Sequence, residues 1–204
     1  VIKLAERVLA LRHAKTYEPN RRQRIAQEAA SVFAPLANRL GVWQLKWELE
    51  DLSLRYLRED IYLGIAKQLS QKRQQREQHV SAMTQSVSDL LSDHGIEATV
   101  AGRAKNIFSI WRKMQAKNIP IEEVHDVRAV RIIVGSLADC YAALGIIHTT
   151  WQHLPGEFDD YIAMPKENGY QSIHTAVTAD DGNTLEVQIR TQEMHEDAEL
   201  GVCA

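Results

Sequence analysis

Long apolar runs, paired cysteines and an excess of positive charge are all missing from this 204-residue chain. No apolar stretch approaches the roughly 20 residues that cross a bilayer, so no membrane association is expected. Its two cysteines, Cys140 and Cys203, lie far apart and outside any metal-ligand spacing. That excludes a disulfide framework or a zinc site and points to a reducing, cytoplasmic setting. A formal net charge of -3 provides no broad cationic surface, so duplex nucleic acid is not an expected partner. Any anionic ligand must be met by a local basic cluster. There is neither a Gly-Lys-Ser/Thr phosphate loop nor a Gly-x-Gly-x-x-Gly segment, which removes the P-loop and Rossmann classes.

What remains is 45% hydrophobic and 25% charged, the composition of an ordinary globular protein. From Val1 to about Ser92, apolar residues recur at three- and four-residue spacing, as in Ile25, Ala29, Val32, Phe33 and Leu36. This predicts helices, with breaks at Tyr17-Glu18-Pro19-Asn20, at Pro35 and at Gly41. The Gln-, Lys- and Arg-rich stretch from Gln68 to Gln78 lacks interleaved aromatics and reads as a solvated helix face, not an RNA-binding one. The opening residues form an amphipathic helix unlike a signal peptide. With no initiator Met, the chain reads as a fragment of a longer protein.

Composition changes after Asp93-His94-Gly95. Strands are predicted at Ile96 to Ala101, Val127 to Val134, Ile173 to Thr178 and Thr184 to Arg190, the last two joined as a hairpin at Asp180-Asp181-Gly182-Asn183. Helices are predicted from Asn106 to Lys117 and from Leu137 to Gln152. The fold class is therefore α+β, a mixed sheet with helices on one side, preceded by a helical segment.

In Leu185-Glu186-Val187-Gln188-Ile189-Arg190 the apolar residues share one face and Glu186, Gln188 and Arg190 the other. Alone, that pattern describes a solvated sheet face. Asp126 opens an expected strand, and two carboxylates on the ends of adjacent strands suit one Mg²⁺ whose oxygen shell a nucleotide completes. A lone Asp before a strand is more often a turn residue. Arg103, Lys105, Arg112 and Lys113 surround the start of one helix, a solvated cluster or a phosphate site. Asn168-Gly169-Tyr170 is a turn first; beside Lys166 and His174 it also offers an aromatic ring and hydrogen-bond donors.

Four segments stand in the order and spacing of one family: Gly102-Arg103-x-Lys105, the strand with Asp126 and Arg128, Tyr161-Ile162-Ala163-x-Pro165-Lys166-x-Asn168-Gly169-Tyr170-Gln171-Ser172-x-His174-Thr175, and Glu186-Val187-Gln188-Ile189-Arg190. They resemble the synthetase domain of the RelA/SpoT family, which has a nucleotidyltransferase-like fold. The resemblance implies Mg²⁺-dependent transfer of pyrophosphate from ATP to the 3′-hydroxyl of GTP or GDP, making (p)ppGpp. It further implies that Arg103 stacks on adenine, that Lys105, Ser109 and Lys113 hold the ATP phosphates, and that Asp126 and Glu186 serve the metal. Glu186 is also the implied base, and Tyr170 the implied stacking partner of guanine, with Lys166, Asn168 and His174 nearby.

Glu157-Phe158-Asp159-Asp160 is similar to the acidic motif of RelA-like, synthesis-only members. Lys3-Leu4-Ala5-Glu6-Arg7-Val8-Leu9-Ala10 resembles the last catalytic helix of the family's hydrolase domain, with Glu6 in place of the usual Asp and Ala10 in place of the usual Asn. The implied organisation is a hydrolase remnant and connector over 1–42 and a synthetase domain over 43–204. Ribosome association is implied only for the full-length protein. The alternative is a catalytically silent module that binds guanine nucleotides.

Overall fold

The computed structural model describes residues 1–71, 73–103, 106–120, 129–180 and 182–200. Its first part is helical: α1 (Ile2–Arg12), α2 (Pro19–Glu28), α3 (Ala34–Arg39), α4 (Trp43–Leu57), α5 (Glu59–Gln71) and α6 (Arg73–Asp93). Pro19 starts α2, where its missing N–H costs nothing. Pro35 does not break the chain as expected. A π-helical stretch, Ala29–Phe33, precedes it and joins α2 to α3, its wider turn accommodating a residue that cannot donate to the preceding turn. Gly41, at φ 70°, does end α3. Its N–H donates to Asn38 O at 3.2 Å, and the Val42 N–H donates to Ala37 O at 3.0 Å. No described helix is long and apolar enough to cross a membrane.

The α/β part comprises β1 (Ala98–Arg103), α7 (Ile107–Lys117), β2 (Ala129–Val134), α8 (Leu137–Thr150), β3 (Gln152–His153), β4 (Asp159–Asp160), β5 (Ile173–Thr178), β6 (Thr184–Thr191) and α9 (Gln192–Leu200). Sheet order is β1-β2-β6-β5-β3, with β4 also pairing β5. Only the β2–β6 pairing is parallel among those described, so the sheet is mixed, as expected. The β5–β6 hairpin falls where the turn signal put it, with Thr178 opposite Thr184. Asn106 caps α7 by accepting the Ser109 N–H at 2.9 Å.

Val130, Ile132 and Val134 of β2, together with Leu185, Val187 and Ile189 of β6, pack under α6 and α8 through Val87, Leu91, Cys140, Ala143 and Ile147. Cys140 is a buried free thiol whose pKa burial and Asp139 push up to about 11, so it behaves as a small apolar side chain. Cys203 lies outside the described residues. The opposite sheet face is not the solvated one that the alternation suggests. Gln188 and Arg190 are 3% and 2% exposed, because α9 and the start of α4 lie over them. Helices thus flank both faces.

A second core joins α1, α2 and α3 to Leu49 of α4, and Arg12 forks onto Glu48. The same α4 sends Trp43, Lys46 and Trp47 toward the sheet and supplies Asp51, which accepts the Phe108 N–H at the start of α7 at 2.8 Å. No gap therefore separates the residues before and after position 42.

Candidate active site

The period-2 geometry of β5 and β6 carries His174, Glu186, Gln188 and Arg190 to the covered face, where Arg131 of β2 joins them. Above this floor, α4 contributes Trp43, Lys46 and Trp47, α7 contributes Ser109, and the loop before β5 contributes Lys166 and Tyr170. They enclose a cavity of about 230 Å³. A larger cavity of about 1070 Å³ adjoins it, sharing Trp43, Lys46 and Lys166 and adding Arg39, Arg112, Asp159 and Asp160. A third, of about 160 Å³, lies between Glu157, Asp159, His174 and Glu186. Glu186 thus faces two cavities, and Gln188 Nε2 donates to its Oε1 at 3.0 Å.

Tyr170 is half-buried and crossed by three rings, Trp43, Tyr161 and His174, at interplanar angles of 65°, 60° and 84°. None of these is stacked parallel on it. The Tyr170 hydroxyl shares a hydrogen bond with His174 Nε2 at 2.9 Å, which orients both side chains. Asn168 is committed to the loop: Nδ2 donates to Asn38 O at 2.8 Å, tying the loop to α3, while Oδ1 accepts the Tyr170 N–H at 3.3 Å. Lys166 Nζ lies 4.0 Å from the Tyr161 ring centroid. Burial lowers the Lys166 pKa and Asp159 opposes this.

Two acids of the Glu157-Phe158-Asp159-Asp160 motif, Asp159 and Asp160, are offset within the protein. Asp160 accepts the Tyr141 hydroxyl at 3.0 Å and the N–H groups of Ile162 and Ala163 at 3.0 and 2.9 Å, and Asp159 faces Lys166 and Tyr161. Among the described residues, no three His, Cys, Asp or Glu side chains converge as a metal cluster.

Of the residues singled out in the sequence, Glu186, Ser109, Lys166, Tyr170 and His174 line the cavity of about 230 Å³. Asn168 borders the larger one, and Lys113, half-buried on α7, is in neither lining. Asp126 and Lys105 lie outside the described residues, as does the side chain of Arg103, whose backbone closes β1. The β2–β6 adjacency expected for the carboxylate pair is present, with Ala129 opposite Glu186. Missed from the sequence were Trp43, Lys46 and Trp47 on α4 and the charged cluster beneath α9. Two tryptophans four residues apart in a charged helix were the available signal for the first group.

In that cluster, Glu199 accepts from Arg131 at 3.1 Å and Gln44 at 3.2 Å and lies 3.5 Å from Arg190, while Arg190 meets His195 Nδ1 at 2.8 Å. Burial, then Arg190 and Arg131, lower the His195 pKa against the opposing pull of Glu199 and Glu196. Its ring therefore stays neutral as the acceptor for Arg190. The unfolded chain takes up this proton near pH 6.5, whereas the folded one does so only at lower pH, so stability should fall as pH drops below about 6.5. Thermal melts from pH 7.5 to 5 should show that decline, shallower in His195→Gln. Parallel profiles for the two proteins would remove His195 as a source.

Comparison with known proteins returns a family model described as "Region found in RelA / SpoT proteins" over residues 102–204 and an "HD domain" model over residues 1–43. The whole chain is 55% identical to a GTP pyrophosphokinase of Photobacterium angustum, covering 27% of that protein. It is 44% identical to a probable guanosine-3′,5′-bis(diphosphate) 3′-pyrophosphohydrolase of Synechocystis sp., again covering 27%. The chain thus spans about a quarter of the length of these curated relatives. Among solved structures, the small alarmone synthetase 1 from Bacillus subtilis bound to its product pppGpp matches with a TM-score of 0.50 and 27% identity, over 63% of this chain and 75% of that one.

Proposed function

Because the chain belongs to the RelA/SpoT family, we propose that it transfers the β,γ-pyrophosphate of ATP to the 3′-hydroxyl of GTP or GDP. The 3′-oxygen attacks the β-phosphorus, the bond from that phosphorus to the bridging oxygen breaks, and AMP leaves with that oxygen. The observation that carries this reading is the position of Glu186. It lies between a cavity walled by Tyr170 and His174 and one bordered by Glu157 and Asp159, with Lys46 and Lys166 at the passage to a larger space. Such transfer needs positioning and charge stabilisation more than covalent help from the protein.

In this reading Glu186 orients the 3′-hydroxyl and takes its proton, and Gln188 holds the carboxylate in place. Tyr170 offers its ring to guanine, fixed by His174. Mg²⁺ suits one or two carboxylates completed by phosphate oxygens and water, so Glu186, with Asp126 as the second carboxylate that the family resemblance implies, would hold it without a three-residue cluster. Once bound, the ion would neutralise charge on the phosphates. Residues 1–42 are proposed as a hydrolase remnant and connector, and 43–204 as the synthetase domain. Action in the cytoplasm, and on the ribosome through other parts of a longer protein, belongs to the same proposal. Incubation with ATP labelled at the γ-phosphate, GTP and Mg²⁺ should put label into a guanosine product; label found only in free phosphate or unreacted ATP would overturn it.

Tyr170→Ala removes a stacking surface worth roughly 1–3 kcal/mol per base. GTP binding should weaken correspondingly while ATP binding changes little; equal weakening of both in a titration would make Tyr170 a packing residue only. Hydrolysis of ppGpp is not expected, with or without Mn²⁺. Glu6 is exposed and paired with Lys3 at 2.8 Å, and Ala10 has no polar group to offer. Pyrophosphate released from purified ppGpp would contradict this.

A further inference from the structure

Lys46 lies on α4, outside the four sequence motifs quoted above, yet it lines both the cavity holding Glu186 and Tyr170 and the larger one beyond it. It forms one side of an aromatic corner. Its Nζ is 4.8 Å from the Trp43 ring centroid, Trp43 is 5.3 Å from Tyr170, and Lys166 Nζ is 5.5 Å from Tyr170 on the other side. Arg112 lines the larger cavity as well, and its charge and that of Lys166 both act on Lys46.

Burial disfavours the Lys46 charge, and one carboxylate, Glu50, opposes this more strongly than either Arg112 or Lys166 adds to it. Glu50 is 3.7 Å away, long for an ammonium–carboxylate hydrogen bond, and burial raises the Glu50 pKa so that its charge is costly to keep. With its side chain only 15% exposed, Lys46 is an ammonium largely stripped of water beside two further cations. Such a group is stabilised by an anion placed between them.

We propose that Lys46 binds the 5′-phosphate chain of the guanosine nucleotide at the passage between the two cavities, and so sets the preference for phosphorylated guanosine over the bare nucleoside. This rests on the function proposed above. With guanine against Tyr170 and the 3′-hydroxyl at Glu186, the 5′ end of the nucleotide extends past Lys46 toward Arg112. Of the acids that line the larger cavity, Asp160 is engaged by N–H groups and Asp159 by Lys166, so the passage at Lys46 presents a cationic side to phosphate.

The test is equilibrium binding of GDP and of guanosine, with Mg²⁺ and without ATP, to wild type, Lys46→Met, Lys46→Arg and Glu50→Gln. Lys46→Met should weaken GDP about tenfold or more and leave guanosine unchanged. Lys46→Arg should keep most of the GDP affinity, and Glu50→Gln should keep all of it. Equal losses for both ligands in Lys46→Met, or no loss for either, would overturn the inference, as would an equal GDP loss in Glu50→Gln, because Lys46 would then act through α4 packing. A wild-type protein that bound neither ligand would overturn the reading of the site itself.

Discussion

Replacing Glu186 by Gln is expected to lower turnover by about 10²-fold or more while nucleotide binding stays within a few-fold of normal. Removing a positioned general base typically costs 10²–10⁴ in rate, equivalent to roughly 3–5 kcal/mol of barrier. The amide keeps the shape of the carboxylate, and its oxygen still accepts the Gln188 donor now seen at 3.0 Å, so the β6 face and both cavity walls persist. What disappears is the charge that draws the proton from the 3′-hydroxyl. A single-turnover assay with γ-labelled ATP, run beside a binding titration, separates the two effects. Near-normal turnover in Glu186→Gln would remove Glu186 as the base.

The second large effect concerns stability. Glu199→Ala leaves Arg131 and Arg190 under α9 without the carboxylate they share. Arg190 is 2% exposed and keeps His195, a neutral acceptor that cannot balance its charge. Breaking a fully buried ion pair costs about 3–5 kcal/mol, and the partial exposure of Arg131 and Glu199, at 16% and 21%, reduces this to about 2–3 kcal/mol. In a chain of this size the loss corresponds to roughly 5–10 °C in melting temperature. Lys3→Ala, which breaks the exposed Lys3–Glu6 pair, should change stability by no more than about 0.5 kcal/mol. Similar melting shifts for the two variants would show that Glu199 is not the buried counter-ion.

Burial raises the Glu199 pKa, but the Gln44 hydrogen bond and the charges of Arg131 and Arg190 outweigh it and hold the carboxyl below its ordinary range. A depressed carboxylate contributes stability above its unfolded pKa and loses it as pH falls through the folded value. It therefore acts in the same direction as His195, at lower pH.

The hairpin of β5 and β6 was legible because alternation and a Gly-Asn turn act within a few residues, and α7 because Asn106 is a strong cap. Gln152–His153 and Asp159–Asp160 were not read as strands. Each is two residues long and becomes a strand only by pairing with β5, a tertiary event without a local pattern. The cover over Glu186, Gln188 and Arg190 was invisible for a related reason: polar alternation looks the same whether water or α9 lies above it. The candidate site divides likewise. Lys166, Tyr170, His174 and Glu186 sit in or beside one hairpin, whereas Trp43 and Lys46 arrive from more than a hundred residues upstream through the packing of a helix.

That helix gives the molecule a lever. Leu49 of α4 is embedded in the bundle of α1, α2 and α3, while Trp43 and Lys46 wall the cavities against the sheet. A stiff rod anchored at both places carries a tilt of one to the other, so a force on the N-terminal helices would widen or narrow the passage at Lys46 without any residue there being touched.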